Sequence, residues 1–413
     1  MRGGVRKLAM ATAASALLMC AAPGAAWAQA APDKVAKIGV LTDQSGLYQD
    51  LGGAGSTLAA EMAVEDSGLR EKGWKIEVLS GDHQNKPDIG ANLARQWIDV
   101  SKVDVIADIN NSSVALAINN VAREKNAIHL NSGAATTDLT NAQCSPNTVH
   151  WTYDTYMLAH STGQALVKSG GDTWFFLTAD YAFGTSLERD ASAVIKETGG
   201  KVVGGVKHPL NTSDFSSFLL QAQASKAKII GLANAGGDTT NAIKQAAEFG
   251  IVQAGQKLAA MLLFITDVKA IGLQTAQGLN LTETFYWDLN DQTREFSKRF
   301  AARMKANSPP TMTHAGVYGG VRHYLRTLEA LGGNPHDGAK VVAKMKEIPT
   351  DDALFGKGRI EPNGRKIHPA YLFEVKKPSE STGPWDLYKL VGTTPADQAF
   401  LPLAKSTCAL LKN

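Results

Sequence analysis

Val35-Ala-Lys-Ile-Gly-Val-Leu41 runs into Thr42-Asp-Gln-Ser-Gly-Leu-Tyr-Gln-Asp-Leu-Gly-Gly53, and a helical pattern marked by Leu58, Met62 and Glu65 follows. A β-rich apolar run, a polar loop with glycine and a helix start make one strand–loop–helix unit. The same grammar recurs along the chain. Lys75–Leu79, Val103–Ala107, Ala127–Leu130, Trp174–Thr178, Lys201–Val206, Lys228–Leu232, Ala260–Ile265 and Gly278–Thr282 read as buried strands. Helical patterns separate them: Leu93, Trp97 and Val100; Val114, Ile118 and Val121; then Ala191–Thr198, Phe215–Ala224, Thr240–Phe249, Thr293–Lys305 and Ala315–Leu331. This alternation predicts an α/β architecture of parallel sheets covered on both faces, with right-handed crossovers. About as many units precede residue 150 as follow it, so two similar lobes are expected, first joined within Thr148–Met157. Further on, Asp351–Val375 carries Gly356, Gly358, Pro362, Gly364 and Pro369 before a strand at Tyr371–Val375, which predicts an antiparallel or mixed edge.

The segment ahead of the first strand is of another kind. Arg2, Arg6 and Lys7 precede an apolar stretch from Leu8 to Ala22, and Ala26-Trp27-Ala28 offers small residues for cleavage. That is the order of a secretory signal peptide, so removal of residues 1–28 is expected. A membrane anchor would need a longer run, and a lipidated Cys20 would follow a Met, a poor context. Of 413 residues, 42 are basic and 39 acidic; the three basic residues of the leader removed, 39 face 39. A neutral chain without blocks of like charge lacks the footprint of a nucleic-acid binder. An apolar share of 44% with 20% charged residues excludes a disordered or fibrous chain. Export places Cys144 and Cys408 in an oxidising compartment, where a disulfide between them is expected; two buried free thiols are the alternative.

In open α/β sheets, ligands lie beyond the carboxyl ends of strands, where helix N-termini present amide donors. Ser45, Tyr48 and Asp50 follow the first strand. Asp108-Ile-Asn-Asn-Ser-Ser113 follows the third, with Ser112 or Ser113 expected to cap the next helix. Asn131-Ser-Gly-Ala-Ala-Thr-Thr-Asp-Leu-Thr140 follows the fourth. Three loops of hydroxyls and free amides suit a carboxylate held without a matching cation. The second half adds rings and acids: Tyr181 and Phe183 in Ala179-Asp-Tyr-Ala-Phe-Gly-Thr185, Asn234 and Asp238 in Ala233-Asn-Ala-Gly-Gly-Asp238, and Asp267 after Leu262–Ile265. A cleft between two such halves would clamp a small molecule with a polar head and an apolar body. Each hydroxyl loop read alone is also an ordinary helix cap, and each ring an ordinary core residue. There is no P-loop, HExxH, Gly-x-Ser-x-Gly elbow or Rossmann fingerprint, and the nine histidines are scattered. No enzyme, metal or cofactor is expected.

Lys37-Ile-Gly-Val-Leu-Thr-Asp-Gln-Ser-Gly46, Asn110-Asn-Ser-Ser113, Asn131-Ser-Gly-Ala-Ala-Thr136 with Asp138-Leu-Thr140, and Asp180-Tyr-Ala-Phe-Gly184 occur in this order, and Asp82 is followed by Pro87 and a helix. In these stretches the chain resembles the leucine/isoleucine/valine-type periplasmic solute-binding proteins of ABC importers. The resemblance implies a type I periplasmic binding fold, two doubly wound α/β lobes joined by three crossing segments. It implies an N-terminal lobe of residues 34–150 plus 286–350 and a C-terminal lobe of 154–283 plus 351–413. It implies a periplasmic monomer that delivers a small carboxylate to an ABC permease of the inner membrane by cleft closure.

Carried over by motif, the carboxylate would be held by Ser112 with Ser113 and by Ala134, Ala135 and Thr136. The ring from the other lobe would be Phe183, beside Tyr181, where amino-acid binders commonly carry Tyr; a second ring would come from Tyr48, or its place be taken by Leu51. Amino-acid binders hold the ligand ammonium with a second-lobe acid. The matching loop reads Phe264-Ile-Thr-Asp-Val268 without an evident Glu, which leaves Asp238 and Asp267 as substitutes. A branched-chain amino acid and a benzoate- or phenylpropanoate-like acid both stay open. So does a periplasmic sensor that presents its ligand to a signalling partner.

Overall fold

Strand β1 (Val35–Thr42) is buried because parallel neighbours flank it on both sides and helices cover both faces. The computed structural model describes residues 1, 3–5 and 33–412, so the expected leader and its cleavage site lie almost wholly outside the described residues. Around β1 stand β2 (Lys75–Asp82), β3 (Val105–Asp108), β4 (Ile128–Asn131) and β5 (Thr148–His150), in the order β2-β1-β3-β4-β5, every pair parallel. Helices α1 (Gly53–Ser67), α2 (Pro87–Gln96) and α3 (Ser112–Lys125) fill the crossovers of this first body. Pro87 opens α2, where a missing N–H costs nothing.

The second body repeats the plan. β6 (Thr173–Ala179), β7 (Lys201–His208), β8 (Ile229–Ala233) and β9 (Lys257–Ala260) form a parallel sheet in the order β7-β6-β8-β9. Its helices are α4 (Thr155–Leu158), α5 (Gln164–Lys168), α6 (Ala182–Glu197), α7 (Ser216–Ala224), α8 (Gly237–Glu248), α9 (Ile265–Ile271) and α10 (Leu273–Ala276). Gly184 lets α6 start tight against β6, since a Cβ there would stand 2.0 Å from the Ala179 carbonyl oxygen. In both sheets the strand order reverses beside the first strand, between β1 and β3 and between β6 and β8.

β10 (Asn280–Glu283) ends this run, and α11 (Asp291–Ala301), α12 (Met312–Ala330) and α13 (Gly338–Glu347) return to the first body. Arg299 pairs with Asp66 at 2.9 Å and Arg303 with Glu65 at 2.7 Å, both on α1. A meander of β11 (Thr350–Asp352), β12 (Gly356–Ile360) and β13 (Lys366–Ile367) follows. Then β14 (Ala370–Val375) pairs antiparallel with β10 and with β15 (Tyr388–Thr394), as the turn-rich sequence predicts. The chain ends through α14 (Ala396–Ala399) and the disulfide Cys144–Cys408. Among the described residues, no helix is long and apolar enough to cross a membrane.

Three readings need correction. Ala260–Ile265 is not a strand: the ladder with β8 ends at Ala260, and Ile265 opens α9. Leu262, Leu263 and Phe264 are apolar because they are buried, and an apolar run does not tell a strand from a buried loop. Val100 does not mark a buried helix face; it is exposed. The span 351–413 does not belong whole to one lobe. Asn363 donates to the Thr140 carbonyl at 2.8 Å and His150 pairs with Arg365, so 350–367 is tied to the first body, while 370–394 joins β10.

The chain passes between the bodies after β5, after β10 and between β13 and β14. Arg365 clasps the first of these passages. Its guanidinium donates to the carbonyls of Trp151 (2.8 Å) and Tyr153 (3.2 Å), faces Asp154 at 3.6 Å and lies over Phe400. All of this is buried, so loss of the cation strands carbonyls and an acid. Arg365→Ala should lower the free energy of unfolding by about 3–5 kcal/mol, the cost of breaking a buried pair from one side. Urea unfolding followed by tryptophan fluorescence checks it; a loss under about 1 kcal/mol would mean that water replaces the clasp.

Candidate functional site

The loop after β1 is shaped by its own acid. Asp43 accepts from the amides of Gly46 (2.9 Å) and Tyr48 (2.8 Å), and Asn110 donates to the Tyr48 carbonyl at 3.0 Å. Thr311 and His314, at the start of α12, bond the carbonyls of Leu51 and Gly52, both at 2.8 Å. Tyr48 and Leu51 are thereby fixed beyond the end of β1. At the end of β3, Asp108 and the following Ile109 take left-handed backbone (φ 76 and 59), a costly conformation for non-glycine residues, and the turn brings Asn110 to the same place.

The cap of α3 is Asn111, not Ser112 or Ser113. Its side chain accepts from the amides of Ser113 (3.0 Å) and Val114 (3.1 Å). Both serine hydroxyls are released for other work. Ser112 Oγ accepts from the Thr136 amide at 3.3 Å, and Ser113 Oγ from the Ala182 amide at 3.4 Å in the opposite body. After β4, Gly133, Ala134 and Ala135 complete the rim.

From the second body come Tyr181 and Phe183 after β6, Ala235 after β8, and Leu262 and Phe264 after β9. These positions match those used in the first body, since the loops after the first, third and fourth strands of each motif meet at one place. Tyr153, from the first passage, stands between them; its hydroxyl donates to the Gly133 carbonyl at 2.5 Å and its ring meets Phe264 edge-on at 6.1 Å. The hydroxyls of Tyr48 and Tyr181 bond each other across the cleft at 2.6 Å. Together these residues leave only about 10 Å³ of room, about that of a single water, so the two walls of the cleft stand nearly in contact. Burial holds the phenols of Tyr48, Tyr153 and Tyr181 far above their ordinary range, so each keeps its proton.

No lining side chain among the described residues carries a charge. The pocket takes in Tyr48, Leu51, Ser112, Ala134, Ala135, Tyr181, Phe183 and Phe264, all singled out in the sequence. It does not take in Ser113, Thr136, Asn234, Asp238 or Asp267. Thr136 bonds Ser186 across the bodies at 2.7 Å. Asn234 accepts from Thr239 and reaches His208. Asp238 accepts from the amides of Asn211 and Thr212, and Asp267 from the amide of Phe264 at 2.9 Å. The two acids considered for an ammonium are therefore backbone caps. Asn110, Gly133, Tyr153, Ala235 and Leu262 escaped the sequence reading of the site. The strand-end rule covered all but Tyr153, which belongs to a passage.

A wider groove at Lys37, Asp104, Ile128 and His336 lies at the opposite, amino ends of the first sheet's strands, away from every helix N-terminus of the cleft.

Two parallel α/β sheets that close their carboxyl ends on one buried cavity define a two-body binding protein. The chain belongs to the periplasmic binding protein family, whose profile matches residues 35–383. This is a family of binding proteins that serve ABC transporters, not of enzymes. A crystal structure of a periplasmic binding protein from Burkholderia mallei is 52% identical, covers 91% of this chain and 99% of its own, and superposes with a TM-score of 0.88. A branched chain amino acid ABC transporter periplasmic ligand-binding protein from Burkholderia xenovorans LB400 is 38% identical, covers 91% and 100%, and gives 0.81. The Leu/Ile/Val-binding protein homolog 6 of Brucella melitensis is 25% identical over 363 residues, 86% of this chain and 91% of the relative.

Burial raises the Asp267 carboxyl from 3.8 to about 7, against the pull of its bond from the Phe264 amide. A carboxyl whose value is higher folded than unfolded costs stability as pH rises between the two values. Wild type should therefore lose stability relative to Asp267→Asn between about pH 4 and pH 7, with the gap level above. Thermal unfolding of both chains across that range checks it; a constant gap would mean that the carboxyl is ionised throughout.

Proposed function

We propose that this protein is the capture component of an ABC importer and that it binds a small carboxylate lacking an ammonium group. The ligand's head would sit against the Ser112 hydroxyl and the Ala135 amide, beside the positive end of α3, where Asn111 already takes the amides of Ser113 and Val114 and Asn131 takes that of Ala134. Its body would lie among Tyr48, Tyr153, Tyr181, Phe183 and Phe264. The observation that carries this reading is the uncharged, ring-lined cavity shared by strand-end loops of both bodies.

With about 10 Å³ of room between its two walls, the site admits a ligand only if the bodies part. Capture by closure follows, and it requires a ligand that touches both walls. The closed monomer would dock on an inner-membrane permease after export to the periplasm and cleavage after Ala28. The importer half of the proposal is supported by the name of the 38% identical relative from Burkholderia xenovorans. The amino-acid half of that name is not carried over. An α-ammonium buried beside five rings needs an acid, and Asp238 and Asp267 are engaged as caps. Aromatic acids meet the lining with no charge left unpaired.

In a thermal-shift series, benzoate, 4-hydroxybenzoate and 3-phenylpropanoate should raise the unfolding temperature, and L-leucine, L-isoleucine and L-valine should not. Ser112→Ala should weaken the acid that shifts most by about 1–3 kcal/mol, the usual cost of an unsatisfied buried partner. A shift by the amino acids alone would overturn the ligand assignment and leave the importer assignment standing. N-terminal sequencing of the periplasmic form should begin at Gln29.

A further inference from the structure

β15 belongs to the second body, where it pairs with β14, yet the residues after it return to the first. Asp397 meets Arg359 of β12 at 3.1 Å. Phe400 is buried, with the Arg365 guanidinium 4.3 Å from its ring centre and His368 at 5.2 Å, so it seals the clasp over the first passage. Lys405 then reaches Glu197 of α6, in the second body, at 3.2 Å. Next, Asn141 of the first body accepts from Ser406 Oγ (3.1 Å), the Thr407 amide (2.5 Å) and Thr407 Oγ1 (3.0 Å). Cys408 closes the path on Cys144.

The tail runs beside the seam where Thr136–Asp138 of the first body meets α6 of the second. There Thr136 bonds Ser186, Thr137 bonds Asp190 at 2.8 Å, and Arg189 pairs with Asp138 at 3.1 Å. The Lys405 pair is exposed and weak by itself, as such pairs are. What distinguishes the tail is that its origin is woven into one body's sheet and its end is covalently fixed to the other. An unfixed C-terminus would fray. This one cannot leave the seam while the disulfide stands.

We propose that residues 395–408 form a fourth connection between the bodies, a strap made continuous by Cys144–Cys408, which limits how far they part. The strap rests on the reading that the bodies open and close. With it intact, the ligand-free chain stays close to the compact arrangement. With it cut or slack, the seam opens further and affinity falls, because more of the binding free energy goes into closure.

Small-angle scattering of the ligand-free full chain tests this in three forms: oxidised, reduced with dithiothreitol, and oxidised with a ten-residue Gly-Ser insert between Lys405 and Ser406. The insert slackens the strap without removing the disulfide, and so separates tethering from any loss of fold on reduction. The oxidised chain should match the radius of gyration of the compact structure, and the slackened and reduced chains should exceed it. Equal radii in all three forms, compact or expanded, would overturn the strap. Addition of benzoate, with L-leucine as a parallel probe, tells the two readings apart. Contraction of all three forms to one radius from equal starting values would leave closure standing without a strap. No contraction in any form, with the slackened chain still larger, would leave the strap standing and count against closure by these probes.

Discussion

Asn111 satisfies two of the amides at the start of α3, and that cap decides what the neighbouring serines are free to do. Had Ser112 been the cap, its hydroxyl would be spent on its own helix. Instead it stands at the rim of the cavity in contact with the loop after β4, while Ser113 reaches the first turn of α6 across the cleft. The rest of the site depends on this release. A free hydroxyl in a dry place, beside the positive end of α3, attracts an anion without a lysine or arginine, whose burial would cost more than it returns in an empty pocket.

The same economy governs the acids. Asp43, Asp238 and Asp267 lie in or beside the strand-end loops and could be taken for ligand contacts. Each is turned inward on backbone amides, where it fixes a loop. Three acids thus hold the frame, and the space they frame stays neutral. The phenol pair of Tyr48 and Tyr181 is the polar contact that joins the two walls inside the cavity, and a ligand long enough to reach it must replace that bond with one of its own.

Much of this was legible in the sequence because parallel sheets buried on both faces write themselves as short apolar runs. β1 to β4 and β6 to β8 fall where those runs stand, β7 as an exposed edge, whereas β5 falls where the sequence places the start of a passage. The strand-end rule together with the family resemblance names eight of the lining residues. What was illegible has physical reasons. Leu262–Phe264 is apolar for burial, not for pairing. Asn and Ser both cap helices, so composition cannot say which of Asn111, Ser112 or Ser113 does it. The division of 351–413 depends on which long-range partner each turn finds: Gly364 hands its carbonyl to His150, whereas Ala370 pairs with β15. Tyr153 was missed because a passage has no periodic signature. Cys144 and Cys408 were paired correctly from export alone, but nothing in their spacing tells that the bond spans a seam.

The most direct test is a crystal structure of this chain grown with an aromatic carboxylate. The account predicts a carboxylate oxygen within hydrogen-bond distance of Ser112 Oγ, and a ring between Tyr48 and Phe183. A ligand bound instead at the groove of Asp104 and His336, or one whose ammonium draws Asp238 or Asp267 out of its cap, would contradict it.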